Sequence, residues 1–172
     1  PHPPPRPGGP GAHTHPYTHS HAMRIVVPKE VTPGEHRVAL APETVLRLTK
    51  TGLQVGVEKG AGAAAFFPDA SYAAAGAIVT DDGPGLLAEG DIILKIQRPT
   101  IDEARRMREG SLLVSLIPMP ASSDVLPTLA QRNVTALALE RVPRITRAQT
   151  MDVLSSQATV AGYKAVLIGA AQ

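Results

Sequence analysis

Two stretches decide the fold: Asp91-Ile-Ile-Leu-Lys-Ile96 and Ser111-Leu-Leu-Val-Ser-Leu-Ile117. Each is apolar at nearly every position instead of at every second one, the pattern of a strand covered on both faces, as in the middle of a parallel sheet. Working outward, four further short runs rich in β-branched residues read as strands: Arg24–Val27, Leu53–Glu58, Ala77–Thr80 and Val134–Glu140. Between the six lie five helical patterns. Pro42–Thr51 opens on proline and meets Gly52; Asp69–Ala75 stops at Gly76; Pro84–Glu89 at Gly90; Ile101–Glu109 at Gly110; Ser122–Arg132 at Asn133. Proline at a first turn and glycine just past an end are the residues those positions favour. Pro127 should interrupt or confine the last of these helices. Strands and helices in alternation predict an α/β fold, a doubly wound, mostly parallel six-stranded sheet of Rossmann-like or flavodoxin-like kind.

From Thr146 the pattern changes. Thr146 and Gln149 fit a capping box, and the following residues run past position 170 without a proline. Leu154, Ala158, Ala161, Ala165 and Ile168 recur at helical spacing, predicting one long connecting helix with a narrow apolar stripe that another element could approach closely. Tyr163 and Lys164 are expected to pack along it and to be solvated, respectively.

The first 22 residues, PHPPPRPGGPGAHTHPYTHSHA, have almost nothing apolar to bury and read as a disordered Pro/His-rich extension ahead of Met23. His13/His15 and His19/His21 could hold a divalent metal in principle, yet a histidine-rich tail without a metal is the simpler reading. Residues 23–143 then make a first α/β domain, and residues 144–172 a polar loop with the connecting helix. The whole chain carries 17 basic and 15 acidic side chains, a formal net charge of +2. That balance gives no electrostatic claim on nucleic acid or anionic lipid. No apolar run is long enough to span a bilayer. Without cysteine there is no thiolate nucleophile, disulfide or cysteine metal site. Beyond the head His36 is the sole histidine, which excludes a multi-histidine metal site and a relay built on a second imidazole. Gly60-Ala-Gly62 follows a strand but lacks the third glycine of a dinucleotide fingerprint, and reads as a tight loop.

Polar chemistry concentrates in Arg144-Ile-Thr-Arg-Ala-Gln149-Thr-Met-Asp152-Val-Leu-Ser155-Ser156, between a strand end and a helix start, where open α/β sheets place ligands. Asp152 and Ser155, three apart, share a helix face and could address one carboxamide, with the free amides of Thr150, Met151, Asp152 and Val153 at the helix's positive end. Spacing leaves a second reading open, in which Thr146, Gln149 and Asp152 only cap the helix.

The run Val142-Pro-Arg-Ile-Thr-Arg-Ala-Gln-Thr-Met-Asp-Val-Leu-Ser-Ser156 resembles the signature of the NAD-binding subunit of proton-translocating NAD(P) transhydrogenase. The opening RIVVPKEVTPGEHRVALAPETV, from Arg24, is similar to the start of the same alanine dehydrogenase/transhydrogenase N-terminal family. The resemblance implies an NAD(H) site in which Arg144, Asp152 and Ser155 fix the nicotinamide by its carboxamide and Gln149 faces the ribose and the incoming NADP(H) ring. Hydride geometry would then be set by Arg144, Gln149 and Asp152, with no acid or base at work. It further implies a second, glycine-rich NAD-binding domain that this sequence lacks, so that residues 1–172 alone should be inactive. Further implications are NADP(H) on a partner component, a membrane component that moves protons, a homodimer, and a peripheral place on the cytoplasmic side of the membrane. Alanine dehydrogenase is the competing relative: there an arginine matching Arg37 and a lysine matching Lys95 grip the substrate. The histidine that serves it as acid and base is wanted near Ser115, Ile117 and Pro118, none of which can exchange protons with a keto acid. Arg37 and Lys95 are therefore expected to be structural or ion-paired, and His36 solvated.

Overall fold

Every neighbouring pair among the six strands is parallel in the computed structural model, which describes residues 22–171. The strands are β1 (Arg24–Val27), β2 (Gln54–Glu58), β3 (Ile78–Thr80), β4 (Ile92–Leu94), β5 (Leu112–Ser115) and β6 (Thr135–Ala138), in the order β3-β2-β1-β4-β5-β6. Helices α1 (Pro42–Lys50), α2 (Asp69–Ala74), α3 (Gly83–Glu89), α4 (Ile101–Arg106) and α5 (Leu126–Gln131) connect them. The expected head, with the histidine pairs 13/15 and 19/21, lies outside the described residues.

Paired positions point to the same side, so the register sorts the core into two layers. Val26, Ile93 and Leu113 meet Leu86, Leu87, Ala104 and Leu129 from α3, α4 and α5. On the other face Ile25, Val27, Val55 and Val57 meet Val45 of α1 and Tyr72 of α2. Strands covered twice must be apolar at consecutive positions, which is why the runs in β4 and β5 read as they do. Tyr72 is fully buried and donates its hydroxyl to the Leu40 carbonyl at 2.8 Å, satisfying the polar end of an otherwise apolar ring. Gly60 turns at φ +75°, a left-handed conformation that glycine reaches without cost, and so makes the tight loop after β2.

Several boundaries differ from expectation. The helix expected from Ser122 begins only at Leu126, because Pro127 in the first turn lacks an N–H and its ring forbids a preceding helical turn. The strand expected over Val134–Glu140 ends at Ala138 and tightens into a 3-10 turn over Leu139–Arg141. The largest difference concerns the final helix. Thr146–Met151 forms a 3-10 turn with Ile145 at its N-cap and no side-chain cap, so the Thr146/Gln149 capping box does not form. The helix α6 starts later, at Val153, and runs to Ala170. Asp152 wins the capping position, since its Oδ1 accepts from two amides at once, Leu154 N at 3.1 Å and Ser155 N at 3.0 Å. Beyond Leu154 the residues of α6 are exposed, Tyr163 at 71% among them, so Tyr163 does not pack as expected.

Chain order reverses between β1 and β4, where one connection leaves toward α1 and the other toward α4. In open parallel sheets the crevice beyond the strand ends at such a reversal is where ligands bind. The loops after β1 and β4, and the start of α6, meet there.

Candidate functional site

The 3-10 turn and the first two turns of α6 bring Arg144, Gln149, Asp152, Ser155, Ser156 and Thr159 around one open cleft of about 430 Å³. Its floor is ordered by the helix itself. Asp152 Oδ2 accepts from the Ser155 hydroxyl at 2.6 Å, while the Ser156 hydroxyl donates to the Asp152 carbonyl and the Thr159 hydroxyl to that of Ser155, each at 3.0 Å. The Ser155 hydroxyl, then the Ser155 amide, and to a lesser degree the charge of Arg144 hold the Asp152 carboxyl below its ordinary range. It is a carboxylate at neutral pH. An ionised carboxylate offers about four lone-pair directions, of which the cap and Ser155 use three, so an acceptor stays free for a further donor. The arrangement thus presents a guanidinium, a primary amide, hydroxyls and a carboxylate to one volume, within the roughly 300–1,000 Å³ of small-molecule sites.

Asp152 is therefore both cap and cleft wall, while Thr146 and Gln149 do not cap α6. Other expected residues lie elsewhere. Met151 and Val153 line an apolar cleft against Leu137, Leu139 and Val142, and Thr150 sits exposed on the 3-10 turn. Of the amides of Thr150 to Val153 only that of Val153 lies in the first turn of α6, because the helix begins three residues beyond Thr150, and Asp152 has taken the amides of Leu154 and Ser155.

On the opposite side of α6, at the strand ends, a smaller apolar cleft of about 280 Å³ is lined by Arg37, Val38, Ile96, Leu116, Leu139, Val153, Leu154 and Gln157. Its polar neighbours are bound to one another. Glu35 takes Arg37 in a two-pronged grip, Nε to Oε1 at 2.7 Å and Nη2 to Oε2 at 2.6 Å, with Gln97 Nε2 on the same Oε2 at 2.7 Å. The Arg37 guanidinium outweighs the cost of burial and holds the Glu35 carboxyl down at about 2. Lys95, fully buried, donates to Glu103 at 2.7 Å and lies 3.6 Å from Glu30. Glu30 in turn accepts the Ile96 amide at 2.6 Å. Arg37 and Lys95 are ion-paired as expected, and His36 is exposed. Sequence reasoning did not find Glu30, Glu35, Gln97, Glu103 or Gln157. They come from four separate segments, and no local pattern marks them as partners of Arg37 and Lys95, although Glu103 fits a capping box with Thr100.

Among the described residues no group of three or more His, Asp or Glu side chains is placed to hold a metal ion. Nor is any helix among them long and apolar enough to cross a membrane.

Residues 26–161 match the family described as alanine dehydrogenase/PNT, N-terminal domain. Over 153 residues the chain is 42% identical to an NAD(P) transhydrogenase alpha-subunit polypeptide of Rhodospirillum rubrum, covering 86% of this chain and 40% of that protein. It is 32% identical over 148 residues to the alanine dehydrogenase of Mycobacterium tuberculosis, covering 86% of this chain and 39% of that one. A solved transhydrogenase from Sinorhizobium meliloti superposes with a TM-score of 0.79 at 40% identity, over 84% of this chain and 43% of the other. The chain thus spans about two fifths of the length of these relatives.

Proposed function

This chain belongs to the alanine dehydrogenase/PNT N-terminal domain family, and from that premise we propose that it supplies the nicotinamide-orienting half of an NAD(H) site in a proton-translocating NAD(P) transhydrogenase. The observation that carries the reading is the gathering of Arg144, Gln149, Asp152 and Ser155 around one open cleft at the start of α6. The donor set suits a carboxamide. Asp152 accepts from its N–H, the Arg144 guanidinium reaches its carbonyl, the Ser155 hydroxyl oxygen, its hydrogen given to Asp152, accepts a second N–H, and Gln149, at the rim, faces ribose and the second ring. NAD(H), when bound, supplies or receives the hydride. The protein's residues have no proton to move, so their work is to fix one ring's angle and distance against the other. In a protein of its relatives' length, further chain would hold the pyrophosphate and adenosine. A partner component would carry NADP(H), and a membrane component would pass the protons. The NAD(H)-binding protein itself would pair as a homodimer on the cytoplasmic side of the membrane.

Alanine dehydrogenase is the weaker reading. The transhydrogenase relatives are the more similar, and Arg37 and Lys95, which would have to grip a keto acid, are committed to Glu35, Glu30 and Glu103.

The test is Asp152→Asn in the full-length protein mixed with its NADP(H)-binding component. Asparagine caps a helix about as well as aspartate, so folding should hold while the ring loses a charged acceptor. Hydride transfer should slow by up to about 10²-fold, the penalty of a misplaced reacting centre. Loss of activity only in step with loss of melting temperature would return Asp152 to a cap and nothing more. Pyruvate-dependent oxidation of NADH in ammonia would select the other relative.

A further inference from the structure

The Arg37 guanidinium has one bond that the ion pair with Glu35 does not explain: its Nη1 donates to Gln157 Oε1 of α6 at 3.2 Å, across 120 residues of chain. The other end of this connection is anchored on the sheet. Glu35 Oε1 takes the Arg37 amide and Nε, and Oε2 takes Arg37 Nη2 and Gln97 Nε2. The Glu35 side chain is only 6% exposed, so the fork is fixed at its carboxylate, while the Arg37 side chain stays 41% exposed. A continuous line of directional bonds therefore runs from the end of β4 through Glu35 and Arg37 to the second turn of α6. Its place matters because α6 is exposed from Leu154 onward, Gln157 included, leaving the helix's setting to the few contacts of its first turns. Val153 and Leu154 supply apolar contact there, with Ile96, Leu116 and Leu139 around the same cleft. Apolar contact fixes closeness but tolerates rotation, whereas a hydrogen bond from a clamped guanidinium does not. At about 100° per residue, Gln157 lies about 140° around the helix from Asp152 and about 160° from Ser155. Tying the Gln157 side of the helix to Arg37 turns those two toward the polar cleft.

We propose that Arg37 is a positioning residue: clamped by Glu35, it sets the rotation of α6 through Gln157 and so aims Asp152 and Ser155 into the cleft. The proposal rests on the nicotinamide reading of that cleft. It gives Arg37 a role toward the helix instead of toward a substrate carboxylate.

The experiment compares Arg37→Ala, Gln157→Ala and the double variant in the full-length protein with its NADP(H)-binding component. Gln157→Ala leaves Glu35 and Arg37 paired, so it reports even where loss of Arg37 harms folding. Each single change should lower kcat about tenfold while the Kd for NADH stays within about threefold, as expected when geometry is lost and not binding. The double variant should be no slower than the slower single, and Gln157→Glu, which can still accept from Arg37, should keep a wild-type rate. Wild-type kcat in Gln157→Ala, or independent losses that multiply in the double variant, would overturn the proposal. A second measurement separates this from the function itself. In the 172-residue chain, amide hydrogen exchange over residues 154–160 should quicken about fivefold in Gln157→Ala, the factor that one ordinary net hydrogen bond supports, with β1 and β4 unchanged. A wild-type protein that transfers no hydride would defeat the nicotinamide reading. Unchanged exchange in α6 would defeat the role of Arg37 whatever the activity.

Discussion

Lys95→Met should be among the most damaging single changes this domain can suffer, and its cause can be read from the site. The Lys95 side chain has no exposed surface, and Glu30 and Glu103 beside it expose only 5% and 13%. Methionine is apolar and follows the lysine chain as far as Cε, so most of the packing is kept and what is removed is the cationic end. Two carboxylates then face each other at the strand ends with a few backbone amides for company. Removing one partner of a buried ion pair costs about 3–5 kcal/mol, because the remaining charge is stranded. At about 2–4 °C per kcal/mol for a body of roughly 150 residues, the melting temperature should fall by about 6–20 °C. Chemical denaturation of the 172-residue chain measures the free energy directly. The companion Lys95→Met/Glu103→Gln should recover some of the loss, since glutamine removes one of the two charges and can still complete the capping box that Glu103 forms with Thr100 at α4. A loss below about 1 kcal/mol in the single variant, the level of an exposed pair, would refute the reasoning and free Lys95 for a ligand.

The pair at Glu35 carries a pH dependence of defined sign. Its carboxyl, at 4.5 when unfolded and about 2 when folded, adds stability above pH 4.5 that is lost as pH falls from there toward 2. The full shift would be worth about 3 kcal/mol, reduced to about 1–2 kcal/mol by solvent around the partly exposed Arg37. Melting of wild type and Glu35→Gln should therefore differ at about pH 7 and converge near pH 2; an equal gap at both would remove the ion pair from the account. Phe66 sits at φ 63° with 94% of its surface exposed, a left-handed conformation costly for a bulky residue and unsupported by packing. Phe66→Asn should stabilise by about 0.5–1 kcal/mol, read as a rise in melting temperature, and a fall would show that the ring is held by something.

The residues lining the candidate cleft are legible in the sequence because they are local. Arg144, Gln149, Asp152 and Ser155 lie within twelve consecutive residues, so a strand end followed by a helix suffices to bring them to one cleft. The helix start was misplaced because two cap candidates compete within seven residues. Thr146 has the sequence pattern, but Asp152 has the geometry, accepting from two amides and a hydroxyl together. The Ser122 boundary failed for a related reason: Pro127 was seen as an interruption, yet whether it breaks a helix or starts one depends on what the preceding turn packs against.

From its sequence alone this chain declares a parallel α/β sheet, because burial on both faces writes itself into consecutive apolar positions and glycine and proline mark the ends of each element. Periodicity is a local property, and it carries that much and the polar loop before α6. The tertiary structure alone decided that Lys95 would find Glu30 and Glu103, that Arg37 would be clamped by Glu35 and reach Gln157, and that α6 would begin at Val153. Charges in separate segments attract whichever partner the fold brings within a few ångströms, and that distance is set by strand order and register, which no single stretch of residues contains.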